Sequence, residues 1–247
     1  MAETRIISLV NHKGGVGKTT TTLNLGKALS LQGKRVLMID NDPQANLTII
    51  CGIEQPQKTI YTALCQNGEL PIMNVTENLF LVPSELEYTR AEYQLITDLN
   101  GNYKLKKTLK SHLINFDFIL IDCPPSLGVF TANALVASDS VLIVVQSSFL
   151  SVKGLQTIID VVNEIGEELN PKLKIEGLLL TQENRTVVRK EMANLVKEVY
   201  QGKVFKSVIR QNVALEEATA YQKDIFSYAP DSYGAEDYLN LAKEILK

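Results

Sequence analysis

The segment NHKGGVGKTT, residues 11–20, places three glycines, two lysines and two threonines directly after the apolar run RIISLV. Gly14, Gly15 and Gly17 let backbone N–H groups close on phosphate oxygens, and a helix N-terminus just beyond adds favourable partial charge. Lys18 then reaches β- and γ-phosphates, and Thr19 offers a hydroxyl to Mg²⁺. The spacing departs from the common G-x-x-x-x-G-K-[ST] pattern at one position: counting back from Gly17, the first glycine falls on His12. A second lysine, Lys13, is also present, and a phosphate loop within one chain has no use for it.

Two acidic motifs follow. In MIDNDPQAN, residues 38–46, Asp40 and Asp42 stand at the end of an apolar run. In an open parallel sheet that end faces the ligand crevice, where a carboxylate can hold Mg²⁺ or orient an attacking water. The same residues also suit a turn or a helix cap, and their spacing does not choose. In FILIDCPPS, residues 118–126, four apolar residues precede Asp122, the Walker B pattern whose acid supports the Mg²⁺ shell. Pro124-Pro125 stops the strand, and Cys123 reads as a buried thiol.

The elements that must position these groups are legible as alternating strands and helices. RIISLV (5–10), KRVLMID (34–40), FDFILIDC (116–123), SVLIVVQ (140–146) and KIEGLLLT (174–181) read as strands. Most lack polar alternation, which predicts burial on both faces in a parallel sheet. Leu23, Leu25, Ala28 and Leu29 form a helical run after the loop. Leu155, Ile158, Ile159, Val162, Ile165 and Leu169 fall on one helical stripe. Met192, Leu195, Val196 and Val199 repeat the spacing, as do Tyr238, Leu241, Ala242 and Ile245. The middle, 52–112, is least regular, with a strand expected over 78–84 and two helices over 85–112 broken at Asn100-Gly101. No Pro/Gly/Ser-rich linker interrupts the alternation. The expectation is one α/β domain over 1–247, doubly wound, its mainly parallel sheet flanked by helices on both faces.

Bulk properties narrow the function classes. The chain has 247 residues, 45% hydrophobic and 21% charged, with a net charge of −3. A protein that grips nucleic acid by bulk charge is usually basic, so any such contact here needs a local patch. Cys51, Cys65 and Cys123 form an odd set without metal-ligand spacing, which fits a reduced interior. MAETRIISLV lacks a signal-peptide layout, and no apolar run reaches the length of a membrane span. A cytoplasmic protein is expected.

Taken together, KGGVGKTTTTLNLGKAL, VLMIDNDPQANLT and FILIDCPPS resemble the ParA/Soj family of partition ATPases, which carry a deviant Walker A motif K-G-G-x-G-K-[ST]. GLLLTQENRT and VFKSVIRQNVALEEATAYQKDIFSYAPDSYGAEDYLNLAKEI resemble the family's later parts. No helix-turn-helix precedes the loop, as in the short, Soj-like form. The resemblance implies a P-loop NTPase that takes ATP and Mg²⁺ and closes into a homodimer around two nucleotides. Lys13 matches the lysine that reaches the partner's phosphates. Gly14, Gly15, Val16, Gly17, Lys18, Thr19 and Thr20 match the loop, and Asn212 matches an asparagine beside the adenine. Asp42 matches the acid that positions the attacking water and Asp122 the Walker B acid; with Thr19 they form the expected metal set. Lys13, Lys18 and Asp42 are the expected catalytic residues.

The resemblance further implies non-specific binding to double-stranded DNA, nucleoid association and a ParB-like activator. Two basic runs are candidates for the DNA surface. YKLKKTLKSH (103–112) carries Lys104, Lys106, Lys107 and Lys110 without an acid. The second spans Arg185 to Arg210, with Arg189, Lys190, Lys197, Lys203 and Lys206 against Glu191 and Glu198. Arg185, Arg189, Lys190 and Arg210 are the named candidates, and each run also suits a solvated helix face. The chain departs from the family at Arg210, where many members have proline, and at Gln211 and Ala214, where arginines are usual. Ser148 and Lys153 stand where two glutamates are common.

Other readings compete. MinD-like ATPases share the loop but end in a basic membrane-binding helix, whereas AEDYLNLAKEILK is mixed in charge. Bacterial tyrosine kinases end in a tyrosine cluster, which Tyr221, Tyr228, Tyr233 and Tyr238 invite. Relatives of the nitrogenase iron protein need paired cluster cysteines that Cys123 does not supply. An ATP-gated DNA scaffold without turnover is opposed by Asp42.

Overall fold

The computed structural model describes residues 3–66, 68–148, 154–184 and 186–247, so Lys153 and Arg185 lie outside the described residues. Its eight strands form a single sheet. They are β1 (Arg5–Val10), β2 (Val36–Asp40), β3 (Met73–Thr76), β4 (Leu79–Val82), β5 (Phe118–Asp122), β6 (Ser140–Gln146), β7 (Lys174–Glu183) and β8 (Val204–Arg210). Their order is β3-β4-β2-β5-β1-β6-β7-β8. All neighbours pair parallel except the β3–β4 hairpin. The apolar runs read from the sequence become β2, β5 and most of β6, buried on both faces as a helix-covered parallel sheet requires.

The helices are α1 (Lys18–Leu31), α2 (Asn46–Ile50), α3 (Ile60–Cys65), α4 (Ala91–Thr97), α5 (Lys104–Leu109), α6 (Val129–Ala137), α7 (Leu155–Glu168), α8 (Val187–Val199), α9 (Val213–Ala220), α10 (Ile225–Tyr228) and α11 (Tyr233–Ile245). One core lies between the sheet and α1, α2 and α9–α11, with Leu25, Leu29, Met38, Leu120 and Leu241. The opposite core takes α3–α8, with Leu37, Ile119, Ala134, Ile143 and Ile158. The doubly wound arrangement is therefore present. The break at Asn100-Gly101 is also present, for a steric reason: a Cβ on Gly101 would stand 1.8 Å from the Leu95 carbonyl oxygen.

Two expectations need correction. The stripe Met192, Leu195, Val196, Val199 faces the core only in part. α8 lies beside the outer part of the sheet and buries only Ala193 and Val196, leaving Leu195 and Val199 exposed. The segment VFKSVIR, not expected as a strand, forms β8 at the edge of the sheet. Lys206 and Ser207 interrupt its apolar run because one margin of this strand has no neighbour. That margin is not bare. The amides of Lys206 and Ser207 donate to the Glu244 carboxylate at 2.8 and 2.9 Å, and the amide of Arg210 donates to Asp237 at 2.9 Å. Burial works against the charge on Glu244, yet these amides hold its carboxyl below the ordinary value.

Candidate active site

β1 ends at the middle of the sheet, between β5 and β6, where ligands bind in open α/β folds. Residues 11–17 turn from it into α1. Gly15 and Gly17 adopt φ of 73° and 95°, the left-handed region that glycine enters without a Cβ penalty. The loop is held from behind. Thr181 Oγ1 donates to the Val16 carbonyl at 2.7 Å, and Gln182 Nε2 donates to the Gly15 carbonyl at 2.6 Å. Asn11 Nδ2 donates to the Val144 carbonyl at 2.7 Å while its Oδ1 accepts the Lys13 amide at 2.9 Å. With these carbonyls tied to β7, the loop amides are left for an anion.

Lys18 is buried, and its Nζ donates to the Lys13 carbonyl at 3.0 Å. Burial lowers its pKa, opposed by Asp122, Cys123 and Asp42. An ammonium has three donors to place, so a triphosphate would supply acceptors that the loop alone does not. Lys13 is half-buried and makes no ion pair among the described residues. His12, at the position of the missing first glycine, lies against the N-terminus of α7. A Cβ on Gly154 would stand 2.3 Å from its ring, and burial, then Lys13 and Lys18, lower its pKa.

Asp40 and Asp122 are register partners on β2 and β5, both buried. Burial pushes Asp40 up to about 7, against hydrogen bonds from Thr48, and pushes Asp122 up to about 8, reinforced by the charge of Asp40. Asp40 Oδ2 accepts both the amide and the hydroxyl of Thr48, at 2.8 and 2.7 Å. It is thus a clamp on the loop that carries Asp42. Asp42 Oδ1 accepts the Gln44 amide at 2.9 Å. Asn41, between the two acids, donates Nδ2 to the Phe130 carbonyl at 2.9 Å and accepts Tyr88 Oη at 2.8 Å.

The donor set fits Mg²⁺. Asp122 Oδ1 is buried without any hydrogen-bond partner, and the Thr19 hydroxyl lies beside the same carboxyl and favours its charged form. Mg²⁺ binds through one or two protein groups together with water and substrate phosphates, so these two groups suffice.

A cavity of about 550 Å³ opens beside the loop, within the range of small-molecule sites. Gly15, Gly17, Lys18, Thr19 and Thr20 line one end; Ile209, Arg210, Gln211, Asn212 and Leu215 line the other. Gly14, Val16, Asp42 and Asp122 are not among its lining residues. Asn212 caps α9, its Oδ1 accepting the Ala214 amide at 2.9 Å.

The expected DNA-contacting residues within the described part differ in exposure. Lys190 is exposed on α8, but Arg189 turns inward and donates Nη1 to the Gln182 carbonyl. Arg210 is held by Asp237 at 2.9 Å and Glu236 at 2.6 Å, and lies 4.2 Å over the Tyr233 ring. Its charge is therefore neutralised at the cavity rim rather than displayed on an open basic face. Lys104 pairs with Asp98 at 2.9 Å, and Lys106, Lys107 and Lys110 are exposed. The amide of Ser148 donates to the Gln146 carbonyl at 2.7 Å. Sequence reasoning missed Asn11, Asn41, Thr48, Tyr88, Thr181 and Gln182, whose partners no motif announces.

The family model described as an AAA domain matches residues 4–175. The chain is 43% identical over 247 residues to the sporulation initiation inhibitor protein Soj of Bacillus subtilis, covering 98% of each. It is 38% identical to the chromosome partitioning protein ParA of Myxococcus xanthus, covering 98% of this chain and 88% of that one. Among solved structures it resembles cobyrinic acid a,c-diamide synthase of Mycobacterium smegmatis with bound ADP and magnesium. There the TM-score is 0.87 and the identity 31%, with 98% of this chain and 94% of that chain covered. It also resembles the septum site-determining protein MinD of Pyrococcus horikoshii, complexed with Mg-ADP. That match has a TM-score of 0.83 and 28% identity, over 99% and 96% of the two chains. With a held loop, a buried loop lysine and 43% and 38% identity to Soj and ParA over nearly its whole length, the chain belongs to the ParA/Soj family.

Proposed function

We propose that this single ParA-like ATPase domain is a partition ATPase that binds ATP with Mg²⁺, dimerises in that state and then holds double-stranded DNA without sequence preference. A ParB-like partner accelerates hydrolysis, and the cycle moves a plasmid or a chromosome region over the nucleoid in the cytoplasm. The observation that carries this reading is Lys13: half-buried in the loop, without an ion pair among the described residues, beside a Lys18 already directed inward. A lysine so placed is available to phosphates presented by a second copy.

In the mechanism, Mg²⁺ held at Thr19 and Asp122 would neutralise phosphate charge. The chain's own groups do the rest: loop amides and Lys18 orient the phosphates, Asp42 orients the attacking water, and Lys13 stabilises developing charge in trans. Asn212, with Thr20 and Val16 supporting the loop, places the nucleotide. The DNA surface is assigned to Arg185, Arg189, Lys190 and Arg210, of which Lys190 is exposed on α8.

Two alternatives lose support. The apolar residues of α11 that a membrane-binding helix would present, Leu241, Ala242 and Ile245, are buried, and no helix among the described residues is long and apolar enough to cross a membrane. Of the four tyrosines, Tyr238 is buried, while Tyr221 and Tyr233 are exposed, the first stacked on Tyr228 at 5.6 Å and the second against Arg210, all within the folded domain.

The deciding experiment is binding to a random-sequence duplex with ATP, ADP and no nucleotide. ATP-dependent binding that Arg185→Glu or Lys190→Glu weakens at retained nucleotide affinity is the expected result. Equal binding in all three states removes the DNA role.

A further inference from the structure

One side chain joins the phosphate loop to the basic helix. Gln182 Oε1 accepts Gln146 Nε2 at 2.6 Å, and Gln182 Nε2 donates to the Gly15 carbonyl at 2.6 Å. A carbonyl only accepts, so the amide orientation is fixed by chemistry: the nitrogen must face Gly15. The main-chain carbonyl of the same residue accepts Arg189 Nη1 from α8. Its φ of 53° lies in the left-handed region, which a non-glycine residue adopts only when its surroundings impose it. The side chain is therefore anchored to β6 and the loop while the backbone is anchored to α8.

Helix α8 is well suited to respond. Only Ala193 and Val196 are buried, while Val187, Val188, Leu195 and Val199 are exposed. With so narrow a packed stripe, the Arg189 anchor carries much of its placement. We propose that Gln182 is a positioning residue that couples occupancy of the phosphate loop to the placement of α8. A nucleoside triphosphate drawn onto the loop amides moves the Gly15 carbonyl. Gln182, held at both ends, passes that displacement to Arg189. The inference rests on the nucleotide reading of the loop but not on DNA binding.

The test is hydrogen exchange on the full chain, with and without Mg²⁺ and a non-hydrolysable ATP analogue at saturation, with direct binding of the analogue measured on the same samples. In the parent protein, exchange of amides 187–199 should slow about fivefold on saturation, the lower end of ordinary site-to-site coupling. Gln182→Ala and Gln182→Glu, neither of which can donate to the Gly15 carbonyl, should lose this response at analogue concentrations raised until direct binding reaches saturation. Arg189→Ala cuts the link from the other end and should lose it too, which keeps the test decisive if a Gln182 variant folds poorly. A parent protein that binds the analogue without any change in 187–199 overturns the coupling, as does a Gln182→Ala protein with an unaltered response. A parent protein that binds no analogue fails at the earlier step, the nucleotide reading itself, and the coupling falls with it.

Discussion

Lys18 Nζ lies 3.0 Å from the main-chain oxygen of Lys13, so the side chain of one loop lysine is held by the backbone of the other. A phosphate can take the two ammonium donors that this carbonyl leaves free. Lys18→Ala removes the buried cation and should weaken ATP binding by roughly 10- to 100-fold or more, the scale of hydrogen bonds to charged groups. Titration calorimetry checks this, and retained affinity would sink the loop assignment.

Asp42→Ala should leave nucleotide binding intact and slow hydrolysis by about 10²–10⁴-fold, the usual contribution of a positioned acid or base. Phosphate release and size-exclusion chromatography with ATP read the two effects. An ATP-bound dimer should accumulate, and normal turnover would remove Asp42 from the chemistry.

The buried pair Asp40 and Asp122 makes stability depend on pH in a defined direction. Both pKa values are raised, to about 7 and about 8. Above the ordinary aspartate pKa the unfolded chain has released these protons while the folded chain keeps them. Stability without nucleotide therefore falls as pH rises towards 8. Asp122→Asn removes one of the two groups. Its melting temperature should exceed the parent's at pH 8, by about 2–4 °C for each kcal/mol recovered, and the gap should narrow towards pH 5. A gap that widens at low pH contradicts the assignment.

Tyr88→Phe deletes the hydroxyl that donates to Asn41 Oδ1 at 2.8 Å, leaving a buried acceptor short of its partner. A cost of about 1–3 kcal/mol is expected from thermal melts. Because Asn41 precedes Asp42, kcat should fall with little change in KM. An unchanged kcat in a destabilised variant would confine Tyr88 to packing.

The parts of the site that were legible in the sequence are local in the chain. Gly15, Gly17, Lys18 and Thr19 act through one loop, and Asp122 through the end of one strand. Asp40 and Asp42 could not be told apart by spacing. Thr48, eight residues on, takes both bonds to Asp40 Oδ2 and so gives Asp40 a structural partner that Asp42 lacks. Gln182 and Tyr88 carry no motif, because their partners lie 167 and 47 residues away. The inner strands were readable because burial on two faces forces continuous apolar runs. β8 escaped because its outer margin tolerates Lys206, and α8 misled because four apolar residues at helical spacing do not say which of them the sheet will cover.

The carboxylates of Asp237 and Glu244, two turns apart on α11, occupy amides along the outer margin of β8. A sheet edge with free amides is a template for indefinite accretion. Here that template is already filled from within the same chain. Copies of the protein therefore cannot lengthen the sheet past β8 without first evicting two acids. Strand addition at this margin thus competes with bonds inside the chain.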